Sequence, residues 1–146
     1  MTAKQYLSNY HRIACCYKAA VKEYNSVEED MISIKSPSMD DRVQTSPQND
    51  PIGDLVIQLQ KQKAQIGMKM VKYQTKMIMI RNQLSELEEE NHEYYTILTL
   101  RYILGEDWKT ICSNLNVSRT QANKIHGFAL AEFDKRFRTS YINVIF

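Results

Sequence analysis

A chain of 146 residues, 43% apolar and 25% charged, can build one compact domain or two small units, but not a many-layered enzyme. Four glycines and three prolines weigh against a sheet protein rich in tight turns and favour long helices. The net charge of +2 is unevenly placed: residues 108–146 hold 6 basic and 2 acidic side chains, against 6 and 7 in residues 1–50 and 7 and 8 in residues 51–107, so only the C-terminal segment has a surplus suited to phosphate.

From the N-terminus, Tyr6, Tyr10, Ile13, Tyr17, Ala20, Tyr24, Val27, Met31 and Ile34 recur at alternating spacings of four and three. That is the repeat of a helix packing along a partner through a narrow seam. Four of these positions are Tyr, too bulky for a plain zipper, so an antiparallel helix pair is expected. Residues 35–51 contain Pro37, Pro47 and Pro51 among polar residues and predict a loop, a connector longer than is usual between packed helices. Asp50 and Pro51 suit the cap and first position of the next helix.

A second periodic segment follows at Ile52, Leu55, Leu59, Gln62, Ile66, Met70, Tyr73, Met77, Ile80, Leu84 and Leu87. Its methionines, Met68, Met70, Met77 and Met79, suit seam packing or an adaptable partner surface. Lys61, Lys63, Lys69, Lys72 and Lys76 fit a solvated face, with nucleic acid or lipid as the alternative. The run Glu86, Glu88, Glu89 and Glu90 is expected to end this arm, which gives domains at 1–90 and 91–137 and an apolar tail at 138–146. The tail's Tyr141, Ile142, Val144, Ile145 and Phe146 are expected to seek a partner surface.

From Glu93 the pattern shortens. Tyr94, Ile97, Leu98, Tyr102 and Ile103 form one face, and Gly105 stops the helix. Asp107 caps a second helix carrying Trp108, Ile111, Cys112 and Leu115, and Asn116 tolerates the left-handed backbone of a tight turn. Ser118 then caps a third helix, with Gln121 completing the spacing of a capping box. Ala122, Ile125, Ala129 and Phe133 give this helix its buried face. Two short helices joined by such a turn form the helix-turn-helix layout, and the fold class expected is all-α: a long antiparallel hairpin followed by that domain. Candidate DNA-binding residues are Ser118, Arg119, Thr120, Gln121, Asn123, Lys124 and His126. Arg and Lys suit guanine or phosphate, and Asn and Gln suit adenine.

The run Leu100-Arg101-Tyr102, then Gly105, Trp108, Ile111, Leu115, Val117-Ser118-Arg119, Ile125-His126 and Ala129-Leu130, resembles region 4 of bacterial sigma factors. With the opening Thr2-Ala3-Lys4-Gln5-Tyr6-Leu7 and the linker Ser36-Pro37-Ser38 and Arg42-Val43-Gln44, the whole chain resembles phage-borne regulators of the ArpU and RinA late-gene activator group. The resemblance implies a transcription regulator of prophage or mobile-element genes that binds double-stranded DNA through the third helix. Lys109-Thr110 depart from the acidic residues of that group, so no target sequence is carried over.

Cys15, Cys16 and Cys112 form no metal-ligand spacing and read as buried or incidental thiols. No Gly-rich phosphate loop or paired carboxylate site supports catalysis, and neither metal nor cofactor is implied. No apolar run approaches the roughly 18 residues of a membrane span, and no signal-peptide core opens the chain, so a cytoplasmic address is expected. Further partners expected are RNA polymerase or another regulator through the arm, and a second copy as a homodimer. The alternative reading is a non-enzymatic phage interaction protein, such as a small terminase subunit or an antirepressor, and ring formation would separate the terminase reading.

Overall fold

The computed structural model describes residues 1–35 and 50–144, with side chains to residue 141. Most of the loop expected over residues 35–51 lies outside the described residues, as does the end of the tail. The described chain is helical, with no strand: α1 Ala3–Lys35, α2 Pro51–Glu90, α3 His92–Leu98, α4 Trp108–Leu115 and α5 Arg119–Phe137. A π-helical turn at Thr99–Ile103 follows α3, and a 3-10 segment at Arg138–Val144 follows α5.

Local chemistry sets the ends. Thr2 opens α1 with a reciprocal box: its hydroxyl accepts from the Gln5 N–H at 3.3 Å, and Gln5 Oε1 accepts from the Thr2 N–H at 2.9 Å. Asp50 caps α2 by accepting from the Gly53 N–H at 3.0 Å, and Pro51 takes the first helical position. The break between α2 and α3 belongs to Asn91, whose side chain accepts from the N–H groups of Glu93 at 3.0 Å and Tyr94 at 3.2 Å.

Contacts divide the chain into two compact units, Met1–Cys15 with Gln74–Phe146, and Cys16–Tyr73. Residues 1–15 and 74–90, which the sequence reading grouped with the arm, thus belong with the C-terminal helices. The reason is an aromatic cluster that needs α1. Tyr6, 0% exposed, stacks on Tyr141 at 4.4 Å and lies 6.0 Å from Phe133, which packs on Phe137 at 4.8 Å. The Tyr6 hydroxyl donates to Gln83 Oε1 of α2 at 2.8 Å, so its one polar atom is satisfied inside the core. Leu7, Ile13, Ile80, Leu84, Leu87, Ile97, Leu98 and Ile111 complete that core. Arg136 of α5 binds Glu86 and Glu90, so the acidic end of α2 is tied to α5. Tyr141 also departs from the exposed tail expected: it is buried, and its hydroxyl donates to Asp134 Oδ1 at 3.1 Å.

In the other unit Ala20, Val27, Met31 and Ile66 form a small core, with Tyr24, Leu59, Met70 and Tyr73 packed against it. Lys63 pairs with Glu28 at 3.4 Å and sits over the Tyr24 ring at 5.1 Å. Of the cysteines, Cys15 is exposed and Cys16 and Cys112 are partly buried, and all are free thiols.

Candidate nucleic-acid interface

The site is built from two helices and the turn between them. Asp107 caps α4 by accepting from the Thr110 N–H at 2.8 Å, and hydrogen bonding from the Thr110 side chain, then from its N–H, holds the carboxyl below the usual range. At the far end Asn116 adopts φ 53, ψ 47, in the left-handed region. The Val117 N–H then bonds the Cys112 carbonyl at 3.1 Å and the Asn116 N–H bonds the Ser113 carbonyl at 3.2 Å. These two bonds are a Schellman motif, which stops α4 and turns the chain within three residues. Ser118 restarts it, accepting from the Gln121 N–H at 3.2 Å. This is the serine's half of the expected capping box.

Along α5, Ala122, Ala129 and Phe133 are fully buried, and α3 and α4 both pack on this helix. That fixes which side faces outward. Ser118, Arg119, Thr120, Gln121, Asn123 and Lys124 are all exposed, on one end of one helix. Their donors and acceptors therefore share a surface, with the helix N-terminus adding its positive end.

Two arginines converge on Trp108. The Arg119 guanidinium carbon lies 4.6 Å from the indole centroid, and that of Arg101, from the π-helical turn, lies 5.2 Å away. Each contact of this kind is worth roughly 0.5–1 kcal/mol at a partly exposed position, and it restricts the side chain before a ligand arrives. Arg101 also donates to the Glu106 carbonyl at 3.1 Å. Neither Arg101 nor Trp108 was among the residues proposed from sequence. The available signal was their spacing around Gly105, where a turn folds position 101 back toward position 108.

His126 takes a different place from its six companions. It is half-buried, stacked on Tyr102 at 5.8 Å between centroids and edge-on to Trp108 at 5.0 Å. Its Nε2 and the Tyr102 hydroxyl are 3.0 Å apart and hydrogen bonded. Burial first, then the cations Lys4 and Arg101, hold its pKa below the ordinary imidazole value. The ring therefore braces Trp108 from behind as a neutral group.

Gly105 closes the preceding turn at φ 69, where the Glu106 N–H reaches back to the Leu100 carbonyl at 2.9 Å. The backbone therefore requires glycine, and a Cβ there would lie 3.0 Å from Cε1 of the exposed His11 side chain of α1, which would have to shift by a few tenths of an ångström. No group of His, Cys, Asp and Glu side chains that could hold a metal occurs among the described residues. Comparison with known proteins finds no match: no family model fits the chain, and neither a curated protein nor a solved structure is significantly similar to it.

Proposed function

We propose that the chain is a non-enzymatic, sequence-specific DNA-binding transcription regulator of prophage or mobile-element genes, with α4, the turn at Asn116–Ser118 and α5 acting as a helix-turn-helix. The observation that carries this reading is the exposed polar row Arg119, Thr120, Gln121, Asn123 and Lys124 at the start of α5, with Arg119 held over Trp108. A helix that enters through a capped N-terminus and presents such side chains in its first turns matches the chemistry of the major groove.

Each residue then has a role. Ser118 and the first N–H groups of α5 face a phosphate. Arg119 forms a bidentate pair with guanine, and Gln121 and Asn123 address adenine. Lys124 contributes a point charge to the backbone, Thr120 a hydroxyl, and His126 supports Trp108 from within. Arg101 adds a second cation on the same indole.

Tyr24 with Gly67 and Glu28 with Lys63 in one unit, and Tyr6 with Gln83 and Tyr10 with Arg81 in the other, are the pairings of antiparallel segments, which supports a helical hairpin between α1 and α2. That hairpin offers a surface for RNA polymerase, another regulator or a second copy in the cytoplasm. No helix among the described residues is long and apolar enough to cross a membrane.

Selection from a random duplex library tests the reading. The wild-type chain should enrich a defined motif that includes a guanine, and Arg119→Ala should lose information at that guanine while keeping the rest. A wild-type pool that stays random after repeated rounds would overturn sequence-specific recognition.

A further inference from the structure

From Leu55 to Ser85, α2 carries six cations, Lys61, Lys63, Lys69, Lys72, Lys76 and Arg81, and no Asp or Glu. In the unit Cys16–Tyr73, one side of this helix packs inward through Leu59, Ile66, Met70 and Tyr73, and Lys63 is engaged with Glu28 and Tyr24. The opposite side is different. At about 100° per residue, Ile57, Ala64, Met68 and Val71 fall within roughly 60° of one another and form an outward row. Ile57 is 52% exposed, Met68 73% and Val71 63%. Lys61 and Lys72 border this row on one side with Lys69 beyond them, all three exposed. Ala64 and Gly67 leave a shallow groove, completed by Met68, Val71 and the stem of Lys72.

We propose that this face of α2 docks an acidic amphipathic helix of another protein. Charge decides the sign of the partner, because a basic edge of Lys61, Lys69 and Lys72 beside an apolar row is complemented by carboxylates flanking an apolar stripe. Shape decides its form: small residues at 64 and 67 let a second helix backbone approach closely, and methionine adapts to the knobs it meets. A second copy laid antiparallel on the same row brings lysines against lysines with no carboxylate in the stretch to compensate. Duplex DNA would take the lysines but leave Ile57, Met68 and Val71 uncovered. A lipid surface calls for Trp, Phe or Leu anchors, and the row has none. This gives a chemistry to the partner surface proposed above and uses no α5 residue, so loss of partner binding and loss of DNA binding are measured separately.

The test displays a library of helical peptides of about six turns, with leucine at the core positions and Glu, Gln or Lys at the flanking ones, against the full chain. Glu should be enriched at the flanking positions. The triple reversal Lys61→Glu, Lys69→Glu and Lys72→Glu should invert the preference to Lys, and Met68→Glu should weaken the best peptide by about tenfold or more, roughly 1.4 kcal/mol. A thermal melt of each variant guards against misfolding, and a variant that fails it is replaced by Met68→Gln or Lys72→Gln. Selected peptides without charge bias, or a Glu preference that survives the triple reversal, would overturn the proposal. So would wild-type binding to phosphatidylserine vesicles or to duplex DNA that Met68→Glu abolishes.

Discussion

Gly105 and His126 show how single positions constrain the site. Gly105 sits at φ 69, so Gly105→Ala strains the backbone while only nudging the exposed His11 ring, and should cost roughly 1–2 kcal/mol. Urea unfolding followed by circular dichroism reads this directly, and an unchanged midpoint would mean that the turn relaxes freely. His126 makes stability depend on pH. Its folded pKa lies below the unfolded value of about 6.5, so the unfolded ring binds more protons in the window between the two. Its contribution is therefore complete above pH of about 6.5 and is lost as pH falls toward the folded pKa. His126→Gln should flatten the fall in unfolding free energy between neutral and mildly acidic pH; an unaltered slope would show that the ring titrates normally. Tyr6, by contrast, is pushed up to about 12 by burial and stays neutral throughout that range.

The elements differ in how plainly their residues announce them. Asp107, Asn116 and Ser118 were legible because caps and left-handed turns rest on one side chain and its nearest backbone groups, and each makes the expected contact. The seams of α1 and α2 were legible as a repeat in most of their length: Tyr6, Tyr10, Ile13, Ala20, Val27, Met31, Ile66, Ile80, Leu84 and Leu87 are buried, whereas Ile52 and Leu55 at the start of α2 are exposed. Leu7 was missed because it lies one position off the repeat; it is fully buried, one turn before His11, which approaches Gly105. The π-helical turn at Thr99–Ile103 was also missed. Nothing local distinguishes a Leu104 N–H that bonds Thr99, at 3.0 Å, from one that bonds Leu100, and packing chooses between them. For the candidate site, the exposed row of α5 followed from helical spacing, whereas the place of Trp108 between two arginines is a tertiary fact. The turn itself is testable. Ser118→Ala should lose about 1 kcal/mol through its cap while Ser118→Asp retains it, and Asn116→Val should lose roughly 1–2 kcal/mol because a β-branched residue resists the left-handed region. Equal stability of Ser118→Ala and wild type would argue against the capped start of α5.

For the molecule as a whole, the consequence of the aromatic cluster is that the C-terminal helices do not stand alone. A fragment starting at residue 91 lacks Tyr6, which stacks on Tyr141, and the buried Leu7, Ile13, Ile80, Leu84 and Leu87 of the same unit. Tyr6→Ala should cost on the order of 3–5 kcal/mol, as removal of a buried aromatic ring does, and should impair DNA binding through loss of fold with no DNA contact of its own. A fragment of residues 91–146 that melts cooperatively would contradict this dependence. Because α5 shares its unit with residues 1–15 and 74–90, the proposed function is best measured on the full chain. The most direct measurement is the affinity of that chain for duplex DNA across a series of salt concentrations, repeated with Lys124→Ala and Arg119→Ala on selected and scrambled duplexes. The expected result is a falling log–log line whose slope becomes shallower by about one unit in Lys124→Ala, with equal loss on both duplexes. Arg119→Ala should lose roughly 1–3 kcal/mol on the selected site and little on the scrambled one. Affinity that ignores salt, or that neither substitution changes, would contradict DNA binding by α5.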